Sequence, residues 1–214
     1  MSRSLIPLGR RSALGLLLGL AAARAAGAGE EHAHAHAHVH AEAEAAPPGS
    51  AAIRLRQGIP DARVTDSHRR RRRLVSEVFG GRVVAIDFVL TDCGTFCSAI
   101  SAAMAGAQEA LGPRLSREAG LVSVALDPFG GTPEQLNEYA ARFGAGPAWS
   151  FVNVPETQLD EVLRSLGGPI AGESHSPMVV VLDPLRREVR RLLGIPSPEA
   201  IANTIEAALA ARKA

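Results

Sequence analysis

Aromatic residues and net charge are both scarce in this sequence. Its 214 residues include one Trp, one Tyr and six Phe, which together make up 4% of the chain. Proteins that bind nucleic acids by stacking on the bases depend on aromatic side chains, so this scarcity argues against that class. The 23 basic and 22 acidic residues leave a formal net charge of +1, which favours neither a nucleic acid nor an acidic partner.

Cysteine is also scarce, since the chain contains only Cys93 and Cys97. A pair with three intervening residues can close a disulfide or direct two thiolates at one soft metal ion. Such a disulfide closes a very short loop and adds little stability through chain entropy. We therefore expect redox or metal chemistry from this pair rather than a structural staple.

The N-terminus has the pattern of a targeting segment. Arg3, Arg10 and Arg11 come before or at the start of an apolar stretch, residues 13–23, which is followed by small residues. This order predicts a secretory signal peptide over residues 1–28, because the apolar stretch is too short for a confident membrane span. The arginine pair also allows twin-arginine export, and an uncleaved anchor is the alternative. We expect a periplasmic or otherwise extracytoplasmic domain, where cysteines can be oxidised.

Residues 29–51 form a low-complexity segment rich in His and Ala, which predicts a flexible linker. Five histidines recur there at every second position: His32, His34, His36, His38 and His40. Imidazole is a ligand for copper, zinc and nickel, so a flexible tract of this kind can converge on one ion. Accessory metal capture and a solvated spacer that binds metal only incidentally both stay open.

The remaining residues, 52–214, predict one α/β domain. Apolar runs and helix-start signals give the element order β, α, β, α, α, β, β, α. The predicted strands and helices are residues 83–90, a helix ending at 111, 121–126, 133–143, 155–166, 178–182, 188–193 and 198–211. Helices separate the first three strands, which are therefore expected to be parallel, while the last two should form a hairpin. This is the plan of a thioredoxin-like fold, with a central mixed sheet flanked by helices and a C-terminal β-hairpin and helix.

A run of five arginines, residues 69–73, follows His68 near the start of this domain. The simpler interpretation is a solvated hairpin. The alternative is a docking patch for an acidic partner or for lipid head groups.

The two cysteines lie where a buried strand passes into a helix. Free N–H groups at a helix start stabilise an anion and lower the pKa of a thiol there. Asp87 interrupts the apolar strand six residues before Cys93. Thioredoxins look similar here, with Asp-Phe and then Cys at the same spacing. That resemblance implies a buried carboxylate that relays a proton to Cys97, and a solvent-exposed Asp at a strand end is the alternative.

Three sequence blocks resemble the Sco/SenC family of copper-handling proteins with a thioredoxin fold. Residues 87–97, DFVLTDCGTFC, resemble the family pattern DFxxTxCxxxCP. Residues 122–134, VSVALDPFGGTPE, resemble SVDPxxDTPE, and residues 174–176, SHS, resemble DHS ahead of a strand. The similarity extends over residues 59–208. Ser98 and Gly131 depart from the family pattern, which has Pro and Asp at those positions, and Glu173 and Ser174 precede His175 where an Asp is usual.

The resemblance implies a copper site made of Cys93, Cys97 and His175. Two thiolates suit Cu(I), and an imidazole completes a site for Cu(II). The implied function is a copper chaperone, or a thiol reductant, in the assembly of a respiratory oxidase copper site. The implied partner is a copper-receiving protein such as an oxidase subunit, or a thiol partner protein. No nucleic acid is expected, and membrane association is expected only if residues 1–28 stay attached.

Three other functions remain to be compared with this one. The first is a periplasmic thiol–disulfide oxidoreductase without a physiological metal, in which Cys93 and Cys97 form a redox pair and a reversible disulfide. The second is a peroxiredoxin-like peroxidase, which is disfavoured because Thr91 lies two residues before Cys93 rather than three. The third is a metal buffer in which only the histidine tract binds. We expect a metallochaperone rather than an enzyme.

Overall fold

The computed structural model describes residues 51–93, 95–127, 131–168 and 177–214. The predicted signal peptide, residues 1–28, and nearly all of the predicted linker lie outside the described residues. In the described part of the chain, no helix is both long and apolar enough to span a membrane.

Within the described ranges the chain forms eight strands and four α-helices. The strands are β1 Ile53–Arg54, β2 Arg63–Asp66, β3 Arg71–Arg73, β4 Val83–Val89, β5 Ala119–Ala125, β6 Trp149–Asn153, β7 Met178–Asp183 and β8 Glu188–Leu193. The α-helices are α1 Phe96–Leu111, α2 Pro133–Arg142, α3 Glu156–Leu166 and α4 Pro198–Ala211. A π-helix, Leu74–Phe79, and a 3₁₀ turn, Gly112–Arg114, complete the set.

The strands form one mixed sheet in the order β1-β8-β7-β4-β5-β6-β2-β3. Strands β4, β5 and β6 are parallel neighbours, and the other pairs are antiparallel. The predicted mixed sheet and the terminal hairpin of β7 and β8 are confirmed, and α4 follows that hairpin as expected. The arginine run at residues 69–73 also lies in a hairpin, formed by β2 and β3 at one edge of the sheet.

Strand β6 was missed, and the predicted direction of β7 was wrong. The sequence analysis placed two helices in succession after the second strand, but β6 lies between them and pairs with β5. The third strand of that analysis, β7, is antiparallel to β4 rather than parallel. Strand β7 begins at the end of the sheet where β4 finishes, since Val179 pairs with Asp87, and it runs back alongside β4.

Both faces of the sheet are covered, and β4 and β5 are buried along their whole length. Strands buried on both faces are continuous apolar runs, which explains why the sequence signalled them clearly. Helices α1 and α4 cover one face together with α2, and the π-helix and α3 cover the other. Met104 of α1 is fully buried in the layer formed by α1, α2 and α4 and belongs to its core.

Helix α2 begins at a capping box. Thr132 accepts a hydrogen bond from the backbone N–H of Gln135, whose side chain accepts one from the Thr132 N–H, and Pro133 is the first helical residue. This capping box fixes the start of α2 at the end of the sheet that also carries the cysteine turn.

Candidate functional site

The cysteine turn, which we define by residues 90–93 and 95, lies between the end of β4 and the start of α1. Cys93 donates its backbone N–H to the Leu90 carbonyl at 3.0 Å, and its own carbonyl accepts from the Ser98 hydroxyl at 3.1 Å. Ser98 stands where the family pattern has proline, and here its hydroxyl ties Cys93 to the first turn of α1. Cys93 and Cys97 are both half-buried free thiols.

The two thiols differ in acidity. Backbone N–H groups of Cys97 and then Thr95 lower the pKa of Cys93 to about 7. Burial is the main cause that raises the pKa of Cys97 to about 11, and the neighbouring Cys93 and Asp87 act in the same direction. Cys93 is therefore about half ionised at neutral pH, while Cys97 keeps its proton.

Asp87 lies completely buried in β4 and is not the solvent-exposed strand-end residue of the alternative. Its carboxylate accepts a hydrogen bond from Ser123 at 2.6 Å and one from Ser101 at 3.3 Å. Burial outweighs these two hydrogen bonds and raises the pKa of Asp87 to about 6. A buried group of this kind can hold or release a proton near neutral pH.

Four side chains that the sequence analysis did not assign complete this buried polar network. Ser101 contacts the hydroxyl of Tyr139 at 3.0 Å, and Trp149 donates its indole N–H to Ser123 at 2.9 Å. We call Asp87 with these four residues the Asp87 network. The one local signal for it is Ser101, which lies one helical turn beyond Cys97.

Thr91 is the residue through which the cysteine turn is attached to its neighbours. Its hydroxyl donates to Asp127 at 3.1 Å, and its carbonyl accepts from Arg142 of α2 at 3.1 Å. Asp127 follows β5 and belongs to the second family-like block. The Arg142 guanidinium also lies 4.7 Å from the ring centroid of Tyr139, which links this attachment to the Asp87 network.

Gly131, the second departure from the family pattern, packs closely against this attachment. A Cβ at position 131 would lie 3.3 Å from the Asp127 carboxylate and 3.3 Å from the Thr91 methyl group. Contacts that short need the neighbours to shift, so glycine lets the loop approach Thr91 without displacement.

The structure places Cys93, Cys97 and Asp87 at one end of the sheet but does not describe the remaining candidates. His175 lies outside the described residues, as do the tract histidines His32, His34, His36, His38 and His40. Strand β7 begins at Met178, and Val179 pairs with Asp87. The first residues of β7 therefore lie at the end of the sheet that carries the cysteine turn. Among the described residues, no three His, Cys, Asp or Glu side chains form a metal-binding group.

Comparison with known proteins gives the family. The SCO1/SenC family model matches residues 67–210, about two thirds of the chain. This chain belongs to the SCO1/SenC family. The resemblance found in the three sequence blocks is therefore confirmed. No curated protein sequence matches the chain significantly.

Solved structures support the fold of this SCO1/SenC protein. A SCO1/SenC family lipoprotein from Bacillus anthracis is 18% identical, with a TM-score of 0.60 over 73% of this chain and 96% of the other. Bradyrhizobium japonicum ScoI with copper bound is 18% identical, with a TM-score of 0.57 over 71% and 99%. BsSco is 19% identical, with a TM-score of 0.59 over 74% and 98%. At these identities the likeness shows a shared fold, and the thioredoxin-like prediction is confirmed.

Proposed function

We propose that this protein binds copper as cargo through Cys93 and Cys97 and delivers it during assembly of a respiratory oxidase. The observation that carries the proposal is the pairing of two half-buried thiols at one turn, one of them acidic enough to ionise near neutral pH. The relatives agree with it: two of them, ScoI from Bradyrhizobium japonicum and from Arabidopsis thaliana, are structures with copper bound. BsSco is described as a member of a family of cytochrome c oxidase assembly proteins.

The donor set fits copper. Thiolates are soft ligands that favour Cu(I), and an added imidazole suits Cu(II), the role proposed for His175. Cys93 needs little help to ionise, whereas Cys97 must lose a proton to bind the metal. Binding should therefore release protons and strengthen as the pH rises.

Copper titration of the reduced full-length protein tests this proposal. We expect the site to bind one copper per chain, and Cys93→Ser and Cys97→Ser each to weaken that binding strongly. We expect His175→Ala to weaken Cu(II) more than Cu(I), with His68→Ala as the matched control on an exposed histidine. Unchanged copper binding in both cysteine variants would sink the proposal. An accessory role for the histidine tract predicts that replacing all five tract histidines removes only additional, weaker copper.

The difference in acidity also favours a second function, reduction of a partner's disulfide. The Cys93 thiolate attacks one partner sulfur and forms a mixed disulfide, while the other partner sulfur leaves as a thiolate. Cys97 then gives up its proton, for which Asp87 is the proposed acceptor, and attacks Cys93. The products are a Cys93–Cys97 disulfide and the fully reduced partner, so two electrons pass to the partner. Exchange with a protein disulfide no faster than that of free cysteine would exclude this function, and His175→Ala should leave it unchanged.

Export belongs to the same proposal. Residues 1–28 act as a signal peptide, residues 29–51 as a linker, and residues 52–214 as the exported domain, with an uncleaved anchor as the alternative. The N-terminal sequence pattern supports export, and one relative is described as a lipoprotein. The mass of the protein recovered from the periplasmic and membrane fractions shows whether residues 1–28 have been removed. A full-length protein in the cytoplasm alone would contradict export.

A further inference from the structure

The sheet edge formed by β3 carries arginines that the copper and thiol chemistry does not use. Arg63 of β2 lies directly opposite Arg73 of β3, and Thr65 lies opposite Arg71. Residues paired in this way, or two apart on one strand, share a face of the sheet. Arg63, Arg71 and Arg73 therefore project from the same face, and all three are exposed. We call these three residues the arginine cluster.

The cluster contrasts with the other arginines of the hairpin. Arg70 pairs with the buried Asp66, and Arg69 pairs with Glu134 at the start of α2. No ion pair within the described ranges includes a cluster arginine. Like charges that face each other across two strands are unfavourable, yet the fold holds Arg63 opposite Arg73 with no ion pair to either guanidinium from the described residues.

Two acidic residues lie close to one member of the cluster. Arg73 donates from its guanidinium to the Asp61 backbone carbonyl, and its backbone N–H donates to the Glu77 carboxylate. Hydrogen bonds from Ser76 and Val75 outweigh burial and lower the pKa of Asp61, with a smaller contribution from Arg73. Substituting Arg73 would disturb these contacts, so Arg63 and Arg71 are the better positions for testing the cluster.

The strand register gives the position of the cluster relative to the cysteine turn. One residue from each of five neighbouring strands lies in a single row: Val89, Ala125, Asn153, Thr65 and Arg71. Cys93 follows β4 on one side of this row. Arg63 and Arg73 lie on the same side of the row, so they are at the end of the sheet that carries the cysteine turn. With strands about 4.8 Å apart, β3 lies roughly 19 Å from β4.

We propose that the arginine cluster attracts and holds an acidic surface of the same protein partner that presents its metal site or thiols to the cysteine turn. The inference rests on the proposed function, because it concerns how that partner docks. A standard interface covers about 800 Å² on each protein, which is wide enough to include both the turn and the cluster. Guanidinium groups pair with carboxylates in a planar, two-pronged geometry and speed association over a distance.

The position of the cluster favours a protein over a lipid surface. A membrane that covered the cluster would lie beside the cysteine turn and obstruct a partner's approach. The simpler interpretation is that charged edge residues only prevent another sheet from pairing with β3. That interpretation predicts that the rate of reaction with a partner does not depend on the partner's charge, whereas the docking proposal predicts that it does.

Charged peptide probes test the proposal with the reduced full-length protein. Each probe is a short peptide with one cysteine held as a mixed disulfide with thionitrobenzoate, and its neighbouring residues are either Glu or Gln. The Cys93 thiolate attacks the peptide sulfur, a Cys93–peptide disulfide forms, and the coloured thionitrobenzoate anion leaves. We expect the Glu peptide to react about fivefold faster than the Gln peptide at about 0.01 M salt. The advantage should shrink at about 0.15 M salt, where screening is stronger.

Arg63→Glu with Arg71→Glu should remove the Glu-peptide advantage without changing the Gln-peptide rate. Arg63→Gln with Arg71→Gln removes the positive charges without adding negative ones, and it replaces the Glu variant in this test if that variant fails to fold. Arg117→Glu is the matched control, because Arg117 is exposed and precedes β5 at the opposite end of the sheet. Equal rates for the two peptides, or an equal loss in Arg117→Glu, would overturn the proposal.

Two further outcomes separate this inference from its alternatives. Binding to anionic phosphatidylglycerol vesicles that the double variant loses, without any effect of peptide charge, would overturn it in favour of a lipid. Copper titration of the double variant should match that of the wild type. A wild-type protein that binds no copper but still prefers the Glu peptide would refute the copper function and leave the docking inference standing.

Discussion

The cysteine turn and the Asp87 network use similar hydrogen bonds with opposite results. At the turn, backbone N–H groups lower the pKa of Cys93 to about 7. In the network, two hydroxyl groups donate to Asp87, yet burial prevails and raises the pKa to about 6. Cys97 is affected by both regions, and burial with two negative neighbours raises its pKa to about 11. Burial and hydrogen bonding therefore oppose each other at each group, and their balance decides the direction of each pKa shift. The predictions below test that contrast.

The largest expected effect is a difference in thiol reactivity. Iodoacetamide at pH 7 should modify Cys93 about 100-fold faster than Cys97, because the larger thiolate fraction outweighs the weaker nucleophilicity of an acidic thiol. Mass spectrometry of the labelled peptides measures both rates in one sample. In urea the two rates should converge, which serves as the control. Equal rates in the folded protein would show that the pKa contrast is wrong.

The next effect concerns Asp87 and stability. Its folded-state pKa is raised above 3.8, so the folded protein binds more protons than the unfolded chain between about pH 4 and pH 6. As the pH rises through this interval, the unfolding free energy of the wild type should fall by about 2 to 3 kcal/mol relative to that of Asp87→Asn. Urea denaturation at pH 4 and pH 7.5 measures the difference.

Asp66 is the matched control for this experiment, because it is equally inaccessible but has the opposite shift. Burial raises its pKa, but hydrogen bonds led by those from Arg70 outweigh that effect and lower it. Its stabilisation should therefore be present at neutral pH and be lost as the pH falls below 3.8. If Asp87→Asn and Asp66→Asn responded to pH in the same direction, the contrast between the two environments would fail.

A smaller effect is expected from Ser123, which joins two members of the Asp87 network. Ser123→Ala removes the donor to Asp87 and the acceptor of the Trp149 indole, and should cost about 1 to 3 kcal/mol of unfolding free energy. The pKa of Asp87 should rise further, since this hydrogen bond lowers it. Ser150→Ala in neighbouring β6 is the control and should change stability by less than about 0.5 kcal/mol. Equal effects of both substitutions would rule out a special role for the network.

The smallest expected effect is a gain in stability at the arginine cluster. Arg63→Glu places a carboxylate opposite Arg73 and should raise the unfolding free energy by about 0.2 to 1 kcal/mol. Thermal denaturation at low salt measures it, with Arg117→Glu as the reference. A loss of stability would mean that Arg63 makes a favourable contact.

The parts of the fold that were predicted correctly have strong local signals. Strand β4 is a continuous apolar run, and α1 has a regular apolar face that ends at a Gly-Pro pair. Strand β6 was missed because it has only five residues and follows a segment rich in glycine and proline. Without β6, the direction of β7 could not be derived correctly.

The candidate site was predictable only in part, for a similar reason. Cys93, Cys97 and Asp87 are close in the sequence, so their spacing around one strand and helix was informative. The partners of Asp87 come from α1, β5, α2 and β6, which meet only in the folded chain. His175 was placed by family resemblance and lies outside the described residues, so its role stays a prediction.

The most direct test of the central claim is the number of sulfur ligands on bound copper. X-ray absorption at the copper edge should be recorded on the Cu(I)-loaded protein after the five tract histidines have been replaced by alanine. We predict two sulfur ligands in this protein and fewer after Cys93→Ser or Cys97→Ser. Copper bound through nitrogen or oxygen alone, or two sulfur ligands that persist in either cysteine variant, would contradict the account.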